Sequence, residues 1–203
     1  QKRKRNDRKG SEMTSNIFEI NYNGTGASQS NNALGMREMQ ERVYAKRTSQ
    51  HLLIKAPPAS GKSRALMFIA LDKLHAQGLK KAIIAVPERS IGKSFRSTKL
   101  TDYGFYWDWE VLSQNNLTEQ GTSKSKVKQF VDFMHSESPD DRVLICTHAT
   151  LRFAFEQLAD SDFNDVLLAI DEFHHVSIGE DSRLGDILKN IIRNIPKENK
   201  TLL

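Results

Sequence analysis

The chain has 203 residues, of which 38% are hydrophobic, so it can bury one sizeable core but not two. Its net charge of +5 resides in the first ten residues, which hold six Lys or Arg and one Asp, and the rest of the chain has equal numbers of basic and acidic side chains. This distribution excludes a folded part that is basic over its whole surface. The single cysteine, Cys146, excludes an intrachain disulfide and is predicted to be a buried strand residue.

Residues 1–33 are predicted to form a disordered tail. A basic block is followed there by Gly-, Ser- and Asn-rich sequence, which cannot bury enough apolar area to offset the ordering entropy. The block can be a solvated tail, a nuclear-targeting signal or a nucleic-acid tether. Since the chain has neither a secretory leader nor an apolar run of membrane-spanning length, we expect a cytoplasmic protein without a membrane partner, or a nuclear one if the block is a targeting signal.

From Leu34 onward, short apolar runs alternate with segments of helical period. The runs predict buried strands at 52–54, 82–86, 143–146 and 166–170. Apolar residues at helical spacing predict helices around 127–134, 151–158 and 184–192, and residues 64–71 are strong helix formers. This alternation predicts an α/β fold, a mostly parallel sheet with helices on both faces.

Aromatic residues crowd the segment 102–123, with Tyr103, Phe105, Tyr106, Trp107 and Trp109 close together. Such side chains can stack on nucleic-acid bases. We expect instead a strand that packs them into the core.

A phosphate-binding loop is predicted at residues 56–63, APPASGKS, between the strand at 52–54 and the helix formers at 64–71. Backbone N–H groups and the helix N-terminus form an anion site there, Lys62 can reach the β- and γ-phosphates, and the Ser63 hydroxyl can bind Mg²⁺. The departure from the stricter pattern is Ala56 in place of glycine.

Two carboxylates, Asp171 and Glu172, follow the apolar run 166–170 directly. That position is the carboxyl edge of a parallel sheet, where α/β proteins bind ligands. An aspartate there can hold Mg²⁺, and the neighbouring glutamate can activate the water that attacks a phosphoanhydride.

Together these motifs resemble the first RecA-like lobe of superfamily 2 helicases of the DEAD/DEAH-box type, over residues 34–203. The run 171–174, DEFH, is similar to the DEAD/DEAH box, and residues 56–63 are similar to motif I. Arg37 and Gln40, twenty-two residues before Lys62, resemble the element that contacts adenine. The runs 86–90 and 146–151 resemble motif Ia and the threonine-containing motif that touches the nucleic-acid backbone.

The resemblance implies an ATP hydrolase of the P-loop class with the following roles. Residues implied for catalysis are Lys62, Asp171 and Glu172; for ATP, Arg37, Gln40, Pro58, Ala59, Ser60, Gly61, Lys62 and Ser63; for Mg²⁺, Ser63 and Asp171; for nucleic acid, Arg89, Thr147 and Thr150. His174 would couple the nucleotide site to the nucleic acid. Phe173 and the doubled histidine at 174–175 resemble restriction-enzyme-type DNA translocases, which favours DNA over RNA.

The resemblance also implies a second RecA-like lobe, because residues 199–203 look like the strand before the next motif and the chain ends there. Because the family's arginine fingers lie on that lobe, this portion by itself is expected to turn ATP over poorly. Two alternatives stay open: another P-loop ATPase, and a nucleotide-binding tethering module without motor activity.

Overall fold

A computed structural model describes residues 17–21, 31–119, 125–172, 185–186 and 200–202 of the protein. The strands, in chain order, are β1 Ile17–Asn21, β2 His51–Lys55, β3 Lys81–Val86, β4 Val143–Thr147, β5 Val166–Ile170 and β6 Lys200–Leu202. The helices are α1 Glu38–Tyr44, α2 Lys62–His75, α3 Arg89–Gly92, α4 Lys126–His135 and α5 His148–Phe155. Short 3-10 turns lie at Lys93–Phe95, Thr101–Tyr103, Ser113–Asn115 and Asp160–Phe163.

The six strands form one sheet in the order β1-β2-β6-β5-β3-β4, and every pairing is parallel. This confirms the predicted α/β fold of the P-loop type. β3 and β5 are buried along their whole length. Parallel strands in the middle of such a sheet are covered on both faces, and this burial explains why the sequences of β3 and β5 are apolar without interruption.

The two faces of the sheet carry separate apolar clusters. Along β3, Ala82, Ile84 and Val86 belong to the cluster that contains α1 and α2, whereas Ile83 and Ala85 belong to the cluster that contains α4 and α5. The side chains alternate between faces because successive residues of a strand point in opposite directions. The helices therefore lie on both sides of the sheet, as predicted.

A buried polar cluster joins α1 to the far end of α2. The carboxylate of Asp72 accepts hydrogen bonds from Tyr44 Oη at 2.8 Å, from Arg47 Nε at 3.2 Å and from Gln77 Nε2 at 2.6 Å. Burial, together with the hydrogen bond to Asp72, raises the pKa of the Tyr44 phenol. This cluster matters for the site because α1 begins next to the loop that precedes α2.

The aromatic segment is not a strand, and that prediction is wrong. The described part of the segment holds two isolated bridges, Thr98 with Trp109 and Asn116 with Ile145, and short 3-10 turns, and is otherwise irregular. Phe105 and Trp109 are nevertheless buried, and Trp109 Nε1 donates to the carbonyl of Phe95 at 2.8 Å. Gly104, at φ 96°, turns the chain there, so neighbouring aromatic residues do not share one alternating face.

Two predicted helices differ from the structure or lie largely outside it. Of the predicted helix at 184–192, only residues 185–186 are described, and they are helical. The predicted helix at 151–158 corresponds to α5, which ends at Phe155 and does not reach Leu158. β1 lies inside the segment 1–33 that was predicted to be a disordered tail, so that prediction is wrong for residues 17–21. Residues 18–21, FEIN, alternate between apolar and polar as a strand should, and composition averaged over the whole segment conceals this pattern. In the part of the chain with a described structure, no helix combines the length and apolarity that crossing a membrane requires.

Candidate nucleotide-binding site

The loop between β2 and α2 presents unsatisfied donors to one edge of the sheet. Gly61 is the N-cap of α2, and no side chain caps the helix. By helix geometry, the N–H groups of the first turn lack intrahelical acceptors, and they point along the axis. Among the residues that the structure describes, the buried hydroxyl of Ser60 also has no hydrogen-bond partner. Donors left in this way suit an anion with several oxygen atoms, such as a phosphate chain.

The acidic pair meets this loop across the sheet. Glu172 Oε1 lies 3.1 Å from Lys62 Nζ, with both side chains about a quarter exposed. Asp171 follows β5 and is buried, and its N–H donates to the carbonyl of Ala85 at the end of β3 at 2.8 Å. The predicted convergence of Lys62 with Asp171 and Glu172 is therefore observed. Parallel order places the carboxyl ends of β2 and β5 on the same edge.

A cavity of about 600 Å³ opens at this edge. The predicted residues that line it are Arg37, Gln40, Pro58, Ala59, Gly61, Lys62, Ser63, Asp171 and Glu172. Five further lining residues were not predicted, namely Asn31, Gly35, Arg64, Ile91 and Ser94. Of these, Arg64 directly follows the phosphate-loop motif, but no local pattern signals the others, because they come from separate segments.

Gln40 connects α1 to the phosphate loop. Its side chain is 2% exposed; Oε1 accepts from the Arg37 N–H at 2.9 Å, and Nε2 donates to the Gly61 carbonyl at 3.1 Å. Both ends of the amide are thus used within the protein, whereas the sequence predicted a contact with adenine. Arg37 is exposed and lines the cavity. The role of both residues in binding a base stays a prediction.

The residues predicted to contact nucleic acid lie on the same edge but do not line the cavity. Arg89 is exposed at the start of α3, after β3. Thr147 is the N-cap of α5, after β4, and its Oγ1 accepts from the Thr150 N–H at 3.2 Å. The two threonine hydroxyls are 3.0 Å apart. The hydroxyl of Thr147 therefore caps α5, and its contact with nucleic acid stays a prediction.

The sequence did not predict that His148 contacts the acidic pair. Its Nε2 lies 3.1 Å from the backbone oxygen of Asp171. The residue stands inside the run 146–151, but no pattern in that run indicates which partner the ring has. His174, predicted to couple the two sites, lies outside the described residues.

Burial raises the pKa of the Asp171 carboxyl, the neighbouring Glu172 charge adds to the increase, and Lys62 opposes it. The charged form is thus disfavoured in the folded protein. Such a carboxylate gains from a bound cation, and Ser63 supplies a second oxygen on the same cavity wall. This donor set fits Mg²⁺, which prefers oxygen ligands.

Asp171→Asn is expected to raise the free energy of unfolding by about 1 kcal/mol, which corresponds to a rise in Tm of about 2–4 °C for a chain of this size. A carboxyl whose pKa is raised on folding destabilises the folded state at pH values above that pKa, and this cost vanishes below the unfolded value. Asparagine removes the charge while its Oδ1 can still accept from the Glu172 N–H, a bond of 3.1 Å in the wild type. Thermal unfolding without nucleotide should show the gain at pH 7 and its loss toward pH 4. An unchanged Tm at pH 7 would mean that Lys62 fully compensates the charge.

Gly61→Ala is expected to weaken Mg·ATP binding at least about tenfold. Gly61 has φ +91°, and a Cβ added there would lie 2.4 Å from Gln40 Nε2, which must then leave the Gly61 carbonyl. Backbone strain of about 1–2 kcal/mol adds to the lost contact. Calorimetric titration measures the change.

Gly78→Ala is the matched control for this substitution. Gly78 also has a positive φ, +77°, but a Cβ added there meets nothing within 4 Å. This variant should therefore lower the Tm without changing the ATP affinity. Equal ATP affinities for the two variants would contradict a role for the contact between Gln40 and the loop.

Comparisons with known proteins agree with this geometry. A protein-family model described as DEAD/DEAH box helicase matches residues 37–203. The chain is 64% identical over 179 residues to a Bacillus subtilis (strain 168) protein named "Putative ATP-dependent helicase YeeB". That match covers 88% of the chain and 29% of the relative, so the chain spans less than a third of the relative's length. The comparison with solved structures gives no significant match.

Proposed function

Because the chain belongs to the DEAD/DEAH box helicase family, we propose that it is the first motor lobe of a superfamily 2 helicase or translocase that hydrolyses ATP and acts on DNA rather than RNA. The observation that carries the proposal is the 3.1 Å contact between Lys62 Nζ and Glu172 Oε1 on the wall of a cavity large enough for a nucleotide. Lys62 of the phosphate loop and Glu172, the candidate general base, thus line the same cavity.

The contact supports a simple sequence of charge exchanges. A triphosphate offers Lys62 more negative charge than one carboxylate does, so binding would draw the ammonium group to the β- and γ-phosphates. Glu172 would then accept the proton of the water that attacks the γ-phosphate. The N–H groups at the start of α2 and the hydroxyl of Ser60 would hold phosphate oxygens.

Ser63 and Asp171 would hold Mg²⁺ in this proposal. When bound, the ion would supply positive charge that offsets the charge developing on the phosphate oxygens. Arg37 and Gln40 would lie at the base end of the nucleotide, since both line the cavity and Gln40 contacts the phosphate loop at Gly61.

Nucleic acid would bind along the neighbouring part of the same edge. Arg89, Thr147 and Thr150 follow β3 and β4, the two strands beyond β5 in the sheet. A guanidinium and two hydroxyls suit contacts to phosphates, which position a strand without reading its sequence. Rapid turnover would further require an arginine from a second RecA-like lobe.

The test is ATP turnover by the full-length protein with single- and double-stranded DNA and RNA. The proposal expects stimulation by DNA that exceeds stimulation by RNA. Stimulation by RNA alone would overturn the choice of DNA, and turnover indifferent to every nucleic acid would overturn the motor function.

Arg89→Ala is expected to weaken binding of all nucleic-acid sequences equally and to reduce the slope of log K against log salt by about 1. Lys80→Ala is the matched control, because Lys80 is an exposed cation just before β3, at the end of the strand opposite to the one that leads to Arg89. The salt dependence of binding, measured by fluorescence anisotropy, distinguishes the two variants. A loss confined to particular sequences would contradict a phosphate contact.

A further inference from the structure

One side chain joins the edge proposed for nucleic acid to the catalytic carboxylates. His148 is the first residue of α5, and its Nε2 lies 3.1 Å from the backbone oxygen of Asp171. A carbonyl oxygen can only accept, so Nε2 carries the proton in this contact. The ring thus donates to the peptide that links Asp171 to Glu172.

That peptide is held in an unusual conformation. Glu172 has φ 53°, in the left-handed region that residues with a Cβ seldom adopt. Such a conformation persists only where the surroundings determine it. Other hydrogen bonds also act here: the Asp171 N–H donates to the Ala85 carbonyl at 2.8 Å, and the Glu172 N–H donates to Asp171 Oδ1 at 3.1 Å. Neither of these two bonds involves the Asp171 carbonyl, and it is His148 that donates to this carbonyl.

The other end of the connection is the first turn of α5. Thr147 caps this helix through the Thr150 N–H, and the two hydroxyls are 3.0 Å apart. A phosphate accepts from a hydroxyl, so a phosphate bound here competes with the bond between the two hydroxyls and would act on the turn on which His148 stands. The body of α5 is anchored separately, because Leu151 and Ala154 are fully buried.

We propose that His148 is a positioning residue that couples nucleic-acid binding at Thr147 and Thr150 to the orientation of Asp171 and Glu172. The inference rests on the proposed function. A purely structural role is less suited to the position, since His148 is only partly buried and its removal leaves the apolar anchors of α5 in place.

The test measures coupling directly in the full-length protein. The Kd of a labelled DNA duplex is determined with and without a non-hydrolysable ATP analogue and Mg²⁺, and the ratio of the two Kd values is the coupling factor. The wild type should give a ratio different from one by about tenfold. His148→Ala should bring the ratio close to one and lower the kcat for ATP about tenfold, with the KM for ATP within about twofold of wild type.

His148→Gln is the conservative variant, because its side-chain amide also places an N–H donor at the end of a short side chain. It should restore the coupling ratio and most of the kcat. A ratio in His148→Ala equal to that of the wild type would overturn the inference, as would a His148→Gln variant that is as defective as His148→Ala although its Tm is unchanged.

The outcomes separate the two proposals. If the wild type binds both DNA and ATP but its ratio is one, the coupling role fails and the proposed function stands. If the wild type binds neither DNA nor the ATP analogue, the proposed function fails and the coupling role fails with it.

Discussion

Glu172→Gln in the full-length protein is expected to reduce ATP turnover at least about a hundredfold while ATP binding persists. Glu172 Oε1 and Lys62 Nζ are 3.1 Å apart, so the carboxylate stands where the loop lysine meets the cavity. A carboxamide has nearly the same shape but cannot accept the proton of the attacking water. Because the substitution also removes a competing partner for Lys62, the ATP affinity should stay equal or increase.

Turnover and binding must be measured on the same preparation, by phosphate release and by calorimetric titration. Glu137→Gln is a suitable control, since Glu137 is an exposed residue just after α4 and does not line the cavity. It should leave both quantities unchanged. A parallel loss of turnover and binding in Glu172→Gln would indicate a damaged fold rather than a missing base.

Lys62→Ala is expected to weaken Mg·ATP binding about a hundredfold. Two effects combine: the phosphates lose a charge-assisted hydrogen bond, worth about 1.5–3 kcal/mol, and the Glu172 carboxylate is left without this cation and repels the nucleotide. Calorimetry on the chain measures the loss. Unchanged affinity would exclude this loop as the nucleotide site.

The double variant Lys62→Ala with Glu172→Gln separates the two effects. If part of the loss comes from repulsion between the Glu172 carboxylate and the nucleotide, the double variant should bind ATP more tightly than Lys62→Ala alone. Lys128→Ala, on an exposed position of α4, controls for loss of a positive charge elsewhere and should bind as the wild type does. Identical affinities of the single and double variants would mean that repulsion by Glu172 contributes nothing.

The predicted strands of the sheet and the helix α2 were correct because each has a strong local pattern. β3 and β5 are apolar throughout and buried throughout, and the loop at 56–61 stands between a strand and a helix as its motif requires. The aromatic segment failed the same treatment. Its residues are buried or exposed one by one, with Trp109 at 0% and Tyr106 at 60%, so no period describes them.

In the site, too, the sequence predicted the residues that belong to motifs and did not predict the others. The motifs indicated Lys62, Asp171 and Glu172 because phosphate chemistry requires those residue types after strands. Asn31, Ile91 and Ser94 line the same cavity without belonging to any motif that a sequence pattern could reveal. The burial that raises the pKa of Asp171 was equally invisible, since it depends on neighbours from other strands.

The amino-acid sequence by itself determined the strands β2, β3, β4 and β5, the helices α2 and α4 and the position of the phosphate loop, because these follow from periodicity and composition within a few residues. Only the tertiary structure decided which side chains meet. Lys62 pairs with Glu172 across 110 positions, Gln40 with the Gly61 carbonyl across 21 and His148 with the Asp171 carbonyl across 23. Those contacts depend on the order of strands in the sheet, which distant parts of the chain establish jointly and no local pattern encodes.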